Sequence, residues 1–64
     1  MNLYRVTSNQ THLEKGSVFV GDPALWSPHH IFVRELIFGY CKRGAEKFAY
    51  VFYDDVEELT NEME

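Results

Sequence analysis

The 64-residue chain has one cysteine, two prolines, no long apolar run and no basic residue after Lys47. A single thiol, Cys41, excludes an internal disulfide. A bilayer span needs roughly 18 consecutive apolar residues, and no stretch approaches that. The start, Met1-Asn2-Leu3-Tyr4-Arg5, lacks the basic segment and apolar stretch of a secretory leader. With a lone thiol, these absences point to a soluble cytoplasmic protein. Asn9-Gln10-Thr11 fits a glycosylation acceptor pattern, which carries little weight without secretion.

Catalytic and cofactor motifs are lacking too. No serine sits in a nucleophile motif, and the soft metal ligands are only His12, His29, His30 and Cys41. Their spacing matches no zinc pattern, and adjacent His29 and His30 would point to opposite faces of a strand. Cys41 as a nucleophile needs a base and a positive environment; Lys42 and Arg43 are near in sequence, but burial in an apolar hairpin face is the expectation. The carboxylates of Asp54, Asp55, Glu57 and Glu58 lack the loop spacing of a calcium site. The expectation is therefore no catalytic residue, no cofactor and no metal.

What is present is bulk: five Phe, four Tyr and one Trp. Such a chain folds rather than staying disordered. Its length allows one domain, residues 1–64, that buries only about 60% of its unfolded surface. Disulfides, metals or oligomerisation usually support domains this small, which leaves extra apolar burial or self-association here. The net charge of −4 is unevenly spread. The C-terminal segment 54–64 holds six acidic and no basic residues, while the remainder holds six basic and four acidic ones. Overall acidity argues against non-specific nucleic-acid binding, and leaves room for an acidic end that docks on a basic partner.

Leu3 to Thr7 alternates and reads as a strand, and Ser17-Val18-Phe19-Val20 as a second, ending at Gly21-Asp22-Pro23. Trp26 is a large anchor in the loop that follows. Residues 28–43 have two readings. Ser27-Pro28 makes a good helix start, and Lys42-Arg43-Gly44 a plausible end. Against a helix stand Ile31, Phe32, Val33, Ile37, Phe38 and Tyr40, all better strand formers, and Gly39, which would cost roughly 1 kcal/mol in mid-helix. The strand reading is preferred, with strands near 31–42 and 47–53 joined by a two-residue turn at Arg43-Gly44-Ala45-Glu46. That register sets Gly39 opposite Tyr50 and Arg34 opposite Asp55. One face of this hairpin then carries Ile37, Gly39, Cys41, Phe48, Tyr50 and Phe52, the other Leu36, Phe38, Tyr40, Ala49, Val51 and Tyr53. Both are apolar or aromatic, so something must cover the second. Asp54-Asp55-Val56-Glu57-Glu58 resembles a capped helix start, giving a short terminal helix or 3-10 turn.

The expected fold is mainly β: a small antiparallel barrel or sheet with a short C-terminal helix. The strand order, with a long loop between the first two strands, resembles an SH3-like or Tudor-like barrel in architecture. The alternative is α+β with residues 28–43 helical.

The expected function is a small non-enzymatic protein-interaction module. One form of it is a phage-type inhibitor or regulator of a larger, nucleic-acid-handling protein, using carboxylates against a basic groove. The residues expected to touch the partner are Trp26, Arg34, Tyr40, Arg43, Tyr53, Asp54, Asp55, Glu57 and Glu58, on the types enriched in binding hot spots and on charge. Two alternatives are a single-strand nucleic-acid binder, with Arg34, Tyr40, Lys42, Arg43, Lys47 and Tyr50 or Tyr53 as its surface, and a structural homo-oligomer subunit. No membrane partner is expected.

Overall fold

Bulky β-branched and aromatic residues alternating with polar ones do form strands. The structure, a computed structural model, describes residues 1–42 and 50–59. In chain order the elements are β1 (Asn2–Val6), β2 (Val18–Pro23), β3 (His30–Phe38), β4 (Tyr50–Phe52), a 3-10 turn (Tyr53–Asp55) and β5 (Val56–Glu58). All pairings among the described residues are antiparallel, and the sheet order is β4-β3-β2-β1-β5. The sheet curls into a half-barrel.

The curl has a local cause. Across β2 and β3, Gly21 faces Val33 but Val20 faces Glu35, which leaves Arg34 as an extra residue on β3. Phe19 then faces Leu36 and Val18 faces Phe38, which leaves Ile37 as a second. Extra residues on one strand bend it and increase its twist. At the first bulge, β2 comes so close that a Cβ on Gly21 would lie 2.7 Å from the Ile31 side chain and 2.8 Å from the Phe32 carbonyl oxygen. Only glycine fits there.

The inside of the curl is the core: Tyr4, Val6, Leu13, Phe19, Ile31, Val33 and Val51, with Leu36, Tyr53 and Val56 packed against it. Tyr4 stacks on Phe19 with ring centroids 5.4 Å apart and meets Tyr53 edge-on at 6.2 Å. Each fully buried large apolar side chain contributes about 1.5–3 kcal/mol. Leu13 arrives from the long connection between β1 and β2, pinned by an isolated bridge to Cys41.

Four expectations need correction. Residues 30–38 form a strand, as the preferred reading had it, but that strand stops at Phe38 rather than 42. Gly39 takes a left-handed φ of +97°, and the chain leaves the sheet to meet the β1–β2 connection. There the Glu14 amide donates to the Tyr40 carbonyl and the Lys42 amide to the His12 carbonyl. Cys41 is exposed, not buried.

The hairpin register also differs. Tyr50 lies opposite Phe32, not Gly39, and Phe52 lies opposite His30. This pairing sets Val51 opposite Ile31 at the core, where the tight-turn register would set it opposite Phe38. Arg34 bonds Asp22, and Asp55 accepts from Ser8. The turn at residues 43–46 lies outside the described residues, as do Phe48 and Ala49.

Finally, of the two readings of the acidic segment the 3-10 turn is present, at Tyr53–Asp55, and the short helix is not formed over residues 56–58. After a single 3-10 turn, Val56, Glu57 and Glu58 pair with Val6, Arg5 and Tyr4. Val56 prefers a strand, and β1 would otherwise have a bare edge. Residues 60–64 lie outside the described residues.

Candidate functional site

Because Ile31, Val33 and Val51 point inward, the alternation of β3 and β4 sends His30, Phe32, Tyr50 and Phe52 outward. Register makes them cross-strand pairs. His30 meets Phe52 with ring centroids 4.3 Å apart, and Phe32 meets Tyr50 at 5.4 Å. Trp26 joins from the β2–β3 loop, 4.7 Å from His30 and edge-on to Tyr50 at 4.9 Å. Aromatic pairs at such separations attract beyond their simple burial. The cluster still faces solvent: Trp26 is 61%, Phe52 51% and Tyr50 43% exposed. Leu25, beside Trp26, is fully exposed.

Short polar contacts hold the loop that carries Trp26. The Ala24 amide donates to the His30 carbonyl at 3.0 Å. The Ser27 hydroxyl oxygen accepts from the His29 amide at 3.2 Å and lies 2.7 Å from His30 Nδ1. The Tyr53 amide donates to the His29 carbonyl at 3.0 Å, which ties this loop to the 3-10 turn. Between loop and turn lies a concavity of about 210 Å³, lined by His29, His30, Phe52, Tyr53 and Asp54. A second concavity, about 410 Å³, lies near the Gly39 bend, lined by Glu14, Lys15, Gly16, Ser17, Phe38, Gly39 and Tyr40. It has fewer rings, and they do not stack on one another.

The charges differ in how they are engaged. Arg5 pairs with Glu57, Arg34 with Asp22, and the Lys42 ammonium donates to the Asn9 carbonyl. Asp22 also faces the N-terminal ammonium at 3.4 Å. The Arg34 hydrogen bond, helped by that ammonium, holds the Asp22 carboxyl below its ordinary value. Asp54 makes no hydrogen bond or ion pair among the described residues. Away from the site, burial lowers His12 below the ordinary histidine value, and its Nε2 is buried with no hydrogen-bond partner among the described residues. Burial also raises the Tyr4 phenol, more than the Asn2 amide bonded to it lowers it.

The residues singled out from sequence do not form one group. Trp26, Tyr53 and Asp54 surround the aromatic face and its concavity. Arg34 lies further along β3, exposed and paired with Asp22. Tyr40 lines the second concavity. Asp55 accepts from the Ser8 hydroxyl, while Glu57 and Glu58 lie on the β5 edge. Arg43, like Lys47, is outside the described residues. Sequence reasoning missed His30, Phe32 and Phe52 as site residues. The signal available was alternation across two strands flanking one inward valine, legible only with the register in hand.

Among the described residues, no group of three or more His, Cys, Asp or Glu is placed to hold a metal, and no helix is long and apolar enough to cross a membrane. Compared with known proteins, the chain matches no family model, no curated protein sequence and no solved structure.

Proposed function

We propose that this chain is a small non-enzymatic protein-interaction module whose contact surface is the outward aromatic face formed by Trp26, His30, Phe32, Tyr50 and Phe52. One observation carries the reading: five aromatic rings converge on the solvent side of a sheet whose core is already filled by other residues. Tyr and Trp at the centre of a patch, with charge at its rim, are what interfaces favour. Exposed apolar patches on small domains are commonly binding sites. The meander order and the long β1–β2 connection support an SH3-like or Tudor-like reading of the half-barrel.

The test is a comparison of captures. Tagged wild-type chain and a Trp26→Ser/Phe52→Ser variant are used side by side on native lysate, with and without nuclease. A nuclease-resistant protein held by the wild type and lost with the variant supports the module. A nuclease-sensitive catch transfers the face to single-stranded nucleic acid, whose bases would stack on the same rings. A wild type that scatters light as a dimer, with the variant monomeric and nothing captured, makes the face a contact between two copies.

A further inference from the structure

We propose that the concavity between the β2–β3 loop and the 3-10 turn receives a cationic side chain, arginine or lysine, from a basic segment of the partner protein. This rests on reading the outward face as a contact surface and specifies the chemistry of what meets it.

The walls decide the guest. Phe52 and Tyr53 supply rings, His29 and His30 supply imidazoles, and Asp54 supplies the one carboxylate. A cation is attracted to the face of an aromatic ring by the ring's quadrupole. It is also attracted to a carboxylate, and a guanidinium donates charge-assisted hydrogen bonds to one. No described Lys or Arg lines this concavity, so among the described residues no cation answers Asp54. The other described bases of the body that make polar contacts are committed: Arg5 to Glu57, Arg34 to Asp22 and Lys42 to the Asn9 carbonyl. An anionic guest would meet the Asp54 carboxylate. A neutral apolar guest would strip water from Asp54 and give nothing back. A basic segment avoids both penalties, and complementary charge also speeds its approach to a chain of net charge −4.

The test uses the whole chain at neutral pH and its single tryptophan as reporter, since Trp26 sits against His30 at the edge of the concavity. Three Gly/Ser-based dodecapeptides carrying four Arg, four Lys or four Gln are titrated, together with a dodecathymidylate. The expected result is a saturable change in Trp26 emission with the Arg and Lys peptides. The Gln peptide should bind at least about ten-fold more weakly. Asp54→Asn should weaken the Arg peptide at least about five-fold, and Glu58→Gln, which removes the same charge from the β5 edge, less than about two-fold. Asp54 is exposed and bonded to nothing described, so this variant keeps its fold.

Equal binding of the Gln and Arg peptides overturns the cationic guest, as does indifference to Asp54→Asn, a response to the oligonucleotide alone, or no response to any probe. The lysate comparison then says how far the failure reaches. If Trp26→Ser/Phe52→Ser still loses a captured protein, the contact surface stands with a different guest. If wild type and variant capture alike, the contact surface falls as well.

Discussion

The two sides of the β3–β4 pair are similar in composition and opposite in fate. On the concave side, Ile31, Val33 and Val51 are sealed under Tyr4, Phe19 and Leu13. On the convex side, His30, Phe32, Tyr50 and Phe52 touch chiefly one another and Trp26. Hydrophobicity alone does not separate the two sides. The concave side has a second wall because β1 and β2 curl over it, and that curl comes from the extra residues Arg34 and Ile37 and the close approach at Gly21. The convex side has no second wall among the described residues. Among the described residues, one side therefore carries the fold, and the other stays open to solvent.

The largest effect expected is on the concave side. Ile31→Ala should cost about 2–5 kcal/mol, as for other fully buried aliphatic residues, and Phe19→Ala about 3–5 kcal/mol. A domain of this size has little more than that in total, so either variant should keep only a small part of the wild-type stability, read as a sharply lowered urea midpoint. Gly39→Ala comes next. The left-handed φ and the collision of a Cβ with the Ser17 side chain should together cost about 1–3 kcal/mol, read as a lower urea midpoint. On the convex side, Tyr50→Ser and Phe52→Ser should cost only about 1 kcal/mol each, because each ring is already half in water.

The titrations give smaller effects. The folded state lowers the His12 pKa, so the unfolded chain takes up that proton first as pH falls. Stability should therefore decline as the pH drops below about 6.5, the ordinary histidine value, until the folded state protonates too. His12→Gln should flatten that limb of a pH series of thermal midpoints. Asp22 has a lowered folded pKa as well. Its contribution is present above the ordinary carboxylate value and is lost as pH falls through the folded one. Arg34→Gln should shift the acid limb slightly toward neutral pH, the smallest change of the set, because the pair is exposed and screened.

How far the sequence revealed this can be judged from particular residues. Leu3 to Val6 and Val18 to Val20 announce their strands by alternation, and the β character of residues 30–38 outweighs their helical wheel. Leu36, Val51 and Tyr53 share a side, as the same-face reading grouped them, and it is the core side, whereas Phe38 and Tyr40 of the same group are exposed. Three things were hidden. The bulges at Arg34 and Ile37 break the period of two, so a strict alternation misplaces Phe38. Gly39 looked like a strand residue facing an aromatic, whereas it turns the chain away from the sheet. The Asp54-Asp55 pair fits a helix cap locally, but the open edge of β1 recruits Val56 to Glu58 into the sheet. Of the site, Trp26 and Asp54 were legible from residue type alone. Their neighbours His30 and Phe52 were not, since they depend on a register set by which residue of β4 faces the core.

The most direct test of this division is the urea midpoint of a Tyr50→Ser/Phe52→Ser double variant against that of Ile31→Ala under identical conditions. The double variant should unfold cooperatively, with the higher midpoint of the two, despite losing two aromatic rings. A double variant that unfolds at or below the midpoint of Ile31→Ala would show that the convex rings hold the fold together, and the separation of a folding side from a solvent-facing side would be wrong.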